Sequence, residues 1–398
     1  MIGRLRSLPR PARFALFYGA FYFGFGAYLP YMPVWFEARE LTPEMIGLAA
    51  GAGMAGRVFA APLGAALADT VTKRRHAVLA FSLAAFFIFL AHVPASEPWL
   101  IVALAALAGG AYTGIVPIID AFAIRQAKVR RFAFGPPRAF GSAAFIAGNL
   151  GCGALIGWLG GEAALYWTII GAGLAVLAAL LLPEGRRPPD ARASRSAAPI
   201  RDLVTTLKSA GLPFAFAASG LVQGAHGFYY GFSAIAWQAQ GVPSSAVGAL
   251  WATGVAAEIV FFSVIARWSG RIGPAGLLAL GAGASIVRWL ALAAGPPLPL
   301  LFVLQGLHAF SFGATYLGFL RYAADNAPER YGATAQALNS ALSGGIILAA
   351  ATWASGHAYA ALGVSGFALM ALPAAAGLAF ALILVWRHNT AAKGAEAP

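Results

Sequence analysis

Apolar runs long enough to cross a bilayer recur along the chain, near residues 12–36, 44–68, 76–95, 98–124, 137–160 and 163–183, and again near 213–238, 245–267, 273–294, 298–323, 332–355 and 362–386. One crossing takes about 20 apolar residues to span ~30 Å of hydrocarbon. Backbone N–H and C=O groups left unpaired cannot face lipid, so each run is expected to be a helix. Gly and Pro inside the runs do not argue against this, because both are commoner in membrane helices than in soluble ones. Composition agrees. The chain of 398 residues is 60% hydrophobic and 10% charged, whereas soluble domains are about a quarter charged. A single water-surrounded core cannot absorb that much apolar side chain.

The net charge of +13 would suggest nucleic acid in a soluble protein. Here the basic residues sit in short segments between apolar runs, so no nucleic-acid partner is expected. With twelve spans, 23 of the 27 Lys and Arg fall in loops and termini on one side, and only Arg39 lies in a loop on the other. The positive-inside rule then places both termini in the cytoplasm. Arg4, Arg6, Arg10 and Arg13 precede the first run as in a signal peptide. That run is long enough to span and is not followed by a clean small-residue cleavage site, so it is expected to be a retained helix. The stretch 184–212 is rich in Pro, Arg and Ala and too polar to insert. It divides the chain into a six-helix bundle at 1–183, a cytoplasmic linker at 184–212 and a second six-helix bundle at 213–398. Two equal halves suggest internal duplication, frequent among transporters. The single cysteine, Cys152, lies in an apolar run and has no intramolecular disulfide partner.

Charged and titratable residues within spans carry the functional reading. A charge at the bilayer centre costs at least ~2.5–3.5 kcal/mol, so such residues are expected to face a cavity or a partner. Arg57, His226, Glu258, Arg288 and His308 lie near mid-span, and Asp120 with Arg138 nearer the cytoplasmic side. Glu258 is the only carboxylate deep in the second half. Burial and a nearby arginine pull its protonation in opposite senses, which suits a group that gains and loses a proton during transport. The competing reading is a static Glu258–Arg288 ion pair that only fixes helix packing.

In the seventh span His226, Tyr229, Tyr230, Ser233 and Trp237 share one helical face. The tenth repeats the device with His308, Ser311, Phe312 and Thr315, and the eleventh has Gln336, Asn339, Ser340 and Ser343. Such stripes serve equally as glue between helices. The aromatic face around His226 favours substrate contact, since aromatics pack on rings and arginine takes a carboxylate bidentately. The first-span aromatics Phe17, Tyr18, Phe21, Tyr22, Phe25 and Tyr28 read as packing or lipid-facing. His76, His92, His357 and His388 have no metal-ligand spacing. No phosphate-binding loop, nucleotide fold or catalytic triad is encoded, so no cofactor, metal or enzymatic activity is expected.

The loop after the second span, Gly64-Ala-Ala-Leu-Ala-Asp69-Thr-Val-Thr-Lys73-Arg74-Arg75, resembles the signature loop of the major facilitator superfamily, an acid–base latch at a moving interface. Thr72 stands where that loop usually has glycine. The resemblance extends further. Gln223-Gly-Ala-His226-Gly-Phe-Tyr229-Tyr230-Gly-Phe-Ser233-Ala-Ile-Ala-Trp237-Gln238 is similar to the seventh helix of the 3-phenylpropionate permease family. Val116-Pro117-Ile-Ile-Asp120, Arg138-Ala-Phe-Gly141-Ser142 and Val287-Arg288-Trp289 resemble it too. The wider group includes lactose permease, and Asp120, Arg138, Arg288 and His308 match its functional charged positions. Gln305, Ser311 and Phe145 replace its lysine, glutamate and sugar-stacking tryptophan, which speaks against galactoside transport.

The resemblance implies an all-α membrane protein of the major facilitator fold, working by alternating access. The expected activity is proton-coupled import of a small organic acid such as an aromatic carboxylate. Expected substrate contacts are Asp120, Arg138, His226, Tyr229, Trp237, Arg288 and His308. Expected proton carriers are Glu258 and Asp120, and expected gating residues are Asp69, Lys73 and Arg74. A monomer in the plasma membrane is expected, the inner membrane in a Gram-negative source. The alternatives are a nucleoside or sugar proton symporter and a drug or metabolite exporter of the same fold. A sensor or scaffold would need an added domain, and a membrane enzyme a nucleophile–base or metal arrangement.

Overall fold

A computed structural model describes residues 7–71, 73–185, 211–268, 272–327 and 332–395. The regular elements along these residues are helical. They run α1 Arg10–Ala38, α2 Pro43–Thr70, α3 Arg74–His92, α4 Pro98–Arg130, α5 Gly135–Leu159 and α6 Glu162–Leu181. Then follow α7 Leu212–Gly224, α8 Gly227–Ala239, α9 Ser244–Trp268, α10 Pro274–Ala293 and α11 Leu298–Gly306. A π-helical segment, Ala309–Ala314, leads into α12 Thr315–Asn326. A second, Leu342–Ile347, joins α13 Gly332–Ala341 to α14 Leu348–Leu362. A 3₁₀ segment, Gly363–Met370, precedes α15 Ala371–Ala395.

Local chemistry marks the helix starts. Proline occupies the first turn of α1, α2, α4, α5, α7, α10 and α11, where its missing N–H would be unpaired anyway. The Thr42 side chain caps α2 by accepting from the Met45 N–H at 3.4 Å.

Eight helical stretches among the described residues are long and apolar enough to cross a membrane. Helix breaks, mergers and local composition account for part of the difference from twelve. The span expected at 213–238 is interrupted at Ala225–His226, between Gly224 and Gly227, so that α7 and α8 are 13 residues each. The spans expected at 332–355 and 362–386 are merged in one 57-residue stretch, Thr334–Thr390. At 1.5 Å per residue that stretch is about 85 Å of helix, far more than one crossing needs. α1 is diluted by tyrosine, glycine and two internal prolines, Pro30 and Pro33.

The chain forms two compact units. The first comprises 1–197 with 233–252. In it α1 packs on α5 and α6, α2 on α4, and α3 on α4 and α6. Its core is aromatic: Phe14, Phe17, Tyr18, Phe21, Tyr31 and Trp35 of α1 are fully buried. Gly24 of α1 meets Gly171 of α6 so closely that a Cβ on Gly24 would lie 2.9 Å from the Gly171 Cα, which leaves no room for a side chain. The second unit comprises 198–232 with 253–398. There α10 packs on α12 and α15, and α7 on α15, around Leu212, Phe216, Leu278, Phe319 and Leu384. The proposed linker lies almost wholly outside the described residues.

Candidate functional site

Arg288 is the centre of the second unit. It sits on α10 with 0% exposure, an expensive place for a cation. Its Nη1 donates to His308 Nδ1 at 3.1 Å and to Ser311 Oγ at 3.2 Å, and its Nη2 donates to Gln305 Oε1 at 2.8 Å. The guanidinium carbon lies 4.6 Å from the ring centroids of both Tyr229 and Trp289, cation–π distances. Every one of these partners is neutral or neutral-capable. The static Glu258–Arg288 ion pair considered from the sequence is not among these contacts.

Glu258, on α9, instead has its Oε2 3.8 Å from His308 Nε2. Donor geometry fixes the tautomer. Arginine has only donors, so His308 Nδ1 must accept, and the ring proton belongs on Nε2, toward Glu258. His226 is the opposite tautomer. Its Nδ1 is 3.1 Å from the Val222 carbonyl and 3.2 Å from that of Gln223, both acceptors, which leaves Nε2 to accept from Ser311 Oγ at 3.3 Å. Hydrogen bonds thus run outward from Arg288, through Ser311 to His226 and through His308 toward Glu258.

Breaks in the helices place these groups. His226 lies at the interruption between α7 and α8, and His308 at the junction of α11 with the first π segment, which also carries Ser311. Such π segments recur at functional sites. Phe312 lies flat against His308, with centroids 5.3 Å apart and planes at 20°. Trp289 stands edge-on to His226 at 5.0 Å. Thr315 is spent on its own helix, donating to the Ser311 carbonyl at 2.9 Å. Trp237 is fully buried and belongs to the first compact unit.

The first unit holds a smaller cluster. The Tyr18 hydroxyl of α1 donates to Asp120 Oδ1 at 2.6 Å, and Arg138 of α5 lies 4.4 Å over the Tyr22 ring and 5.8 Å from that of Tyr18. No ion pair within 4 Å joins Asp120 to Arg138 among the described residues; Tyr18 touches both. Gly141 makes the space, since a Cβ there would lie 2.6 Å from Tyr22. Tyr18 and Tyr22 are buried packing residues, as expected of the first-span aromatics, and they also touch Asp120 and Arg138. Their i, i+4 spacing on a helix facing Asp120 was the available signal.

At the predicted gating loop Lys73 Nζ meets Glu184 Oε1 at 2.8 Å, and Arg75 Nη2 lies 3.7 Å from the same oxygen. The Arg74 N–H donates to the Gly185 carbonyl at 3.4 Å. The acid of this contact is Glu184, 111 residues away; the Asp69 side chain lies outside the described residues.

The sequence matches the model of the MFS_1 like family over residues 12–368. It is 33% identical to a probable 3-phenylpropionic acid transporter of Escherichia coli (strain K12) over 370 residues, 90% of this chain and 95% of that protein. It is 29% identical to a maltose permease of Geobacillus stearothermophilus over 344 residues, 85% of each chain. Among solved structures, the nucleoside transporter NupG superposes with a TM-score of 0.78 at 16% identity, covering 95% of this chain and 98% of that one. A bacterial homologue of the human lysosomal transporter Spinster, inward-facing and unoccupied, gives 0.72 at 13% identity, covering 95% and 96%. These two show the fold. With a family model spanning most of its length and relatives and neighbours that are all transporters, the chain belongs to the MFS_1 like family of the major facilitator superfamily, as a multi-pass membrane transporter.

Proposed function

We propose that this transporter imports a small organic acid, an aromatic monocarboxylate, together with protons, by alternating access of two six-helix bundles with both termini cytoplasmic. The observation that carries this reading is Arg288: a guanidinium with 0% exposure, held by the neutral groups of His308, Ser311 and Gln305 and flanked by Tyr229 and Trp289. A buried cation needs a compensating anion, and a carboxylate matches the guanidinium fork. The rings of Tyr229, Trp289, His308 and Phe312 supply a wall for an aromatic acid. The relative in Escherichia coli is named for such an acid, 3-phenylpropionic acid.

For the proton, Glu258 is the carrier proposed, because it is the carboxylate that faces the Arg288 network through His308. A proton on Glu258 removes the charge that His308 Nε2–H faces. A proton on His308 Nδ1 would set two donors against each other and release Arg288. Either step links proton occupancy to the state of the guanidinium. Asp120, held by Tyr18 beside Arg138, is the second proton-carrying candidate, and with Arg138 a second point of substrate contact. The maltose permease relative favours a sugar as the alternative cargo; a neutral sugar would leave the Arg288 charge uncompensated.

The test is uptake of radiolabelled 3-phenylpropionate into proteoliposomes. Accumulation should rise when the outside is made acidic and collapse with an uncoupler. Equal uptake with and without a pH gradient would remove the coupling, and maltose or nucleoside uptake in its place would remove the organic acid.

A further inference from the structure

Gln305 occupies a position at which a carboxylate would neutralise Arg288. Its side chain is fully buried on α11. Amide oxygen and nitrogen are told apart here by the partner: arginine only donates, so the atom 2.8 Å from Arg288 Nη2 must be Oε1. The amide nitrogen then points elsewhere, and Gln305 Nε2 is buried with no acceptor among the described residues. Arg288 Nε is buried and unpartnered in the same way. Two side chains bonded to each other therefore both present N–H donors without an acceptor, one cationic and one neutral. Native proteins rarely leave such buried donors without an acceptor.

We propose that Gln305 is a specificity-determining residue: it keeps Arg288 positively charged and offers its own amide N–H groups beside the Arg288 Nε–H, so that the site takes a carboxylate rather than a neutral ligand. The proposal rests on the organic-acid reading of Arg288 and deepens it. Glutamine is the side chain that can do both. It accepts from Nη2 as a carboxylate would, yet brings no negative charge to compete with that of the ligand. Its donors complement one ligand oxygen while Arg288 complements the other. Glutamate at 305 would match glutamine in size, pair with Arg288 from within and repel the incoming anion.

The experiment is calorimetric titration of purified wild-type, Gln305→Glu, Gln305→Met and Arg288→Met protein with 3-phenylpropionate and with its neutral amide, 3-phenylpropanamide. Wild type should prefer the carboxylate. Gln305→Glu should bind it about a hundredfold or more weakly and should bind the amide as well as or better than wild type. A merely structural role for Gln305 would weaken both ligands alike. Gln305→Met loses donors and acceptor without adding charge, and should bind the carboxylate about tenfold more weakly. If Gln305→Glu does not fold, Gln305→Met still decides. Wild-type selectivity in either Gln305 variant, with Arg288→Met abolishing carboxylate binding, would overturn the role of Gln305 and leave the organic-acid reading standing. No carboxylate binding by wild type would overturn both.

Discussion

Arg288→Met should separate a functional arginine from a structural one, because the two readings predict opposite effects on stability. Methionine fills part of the same space and removes the charge. Arg288 makes three hydrogen bonds, at 2.8, 3.1 and 3.2 Å. Bonds to a charged group are worth about 1.5–3 kcal/mol each, so the loss is roughly 5–9 kcal/mol. Against this stands the desolvation of a guanidinium with 0% exposure, itself several kcal/mol. The two nearly cancel, and the net change in stability should stay within ~2 kcal/mol of zero. For a protein of this size that is a shift in Tm of less than about 5 °C in detergent. Binding has no such compensation. A ligand carboxylate left without its buried cation loses about 2–5 kcal/mol, between about 30-fold and several thousandfold in Kd. The assay is thermal unfolding with and without 3-phenylpropionate. The account expects an apo Tm near that of wild type and loss of the ligand-induced increase. An apo Tm lowered by 10 °C or more, or an intact ligand shift, would refute the reasoning.

Three further outcomes are expected. Glu258→Gln should keep 3-phenylpropionate exchange down its gradient while losing accumulation against it, measured in proteoliposomes with an imposed pH gradient; accumulation equal to wild type would move the proton site elsewhere. Tyr18→Phe removes the hydrogen bond that Tyr18 donates to Asp120, worth about 1–3 kcal/mol to a carboxylate, and should slow uptake about tenfold without lowering the yield of folded protein. Lys73→Glu should reduce transport more than stability, because partly exposed ion pairs contribute under about 1 kcal/mol, and Lys73→Glu with Glu184→Lys should restore it if the contact at 2.8 Å is what matters.

Periodicity and charge made the membrane helices legible. Long apolar runs demand spanning helices, and a buried Arg, Glu or His stands out against a hydrocarbon background. Thus Arg288, His226, Tyr229, His308 and Glu258, picked out one by one, share one network. What the residues could not disclose was pairing across helices. The sequence sets Glu258 beside Arg288 as a possible pair, and His308 reaches Glu258 as well, because a π segment and a helix break set which side chains meet. Gln305 read only as a departure from a relative, since an uncharged amide gives no signal until its partner is known. Glu184 lay at the edge of a basic loop, with nothing to link it to Lys73 across 111 positions.

The proposed mechanism depends on direct contact between the Arg288 guanidinium and the carboxylate of the cargo. Solid-state NMR can read it by dipolar recoupling between ¹³C-carboxyl-labelled 3-phenylpropionate and ¹⁵N-labelled arginine side chains in reconstituted protein. Charge-assisted N–H···O bonds hold donor and acceptor at about 2.7–2.9 Å, so strong carbon–nitrogen dephasing should appear in wild type and vanish in Arg288→Met. Bound 3-phenylpropionate that shows no dephasing from any arginine in wild type would contradict the account.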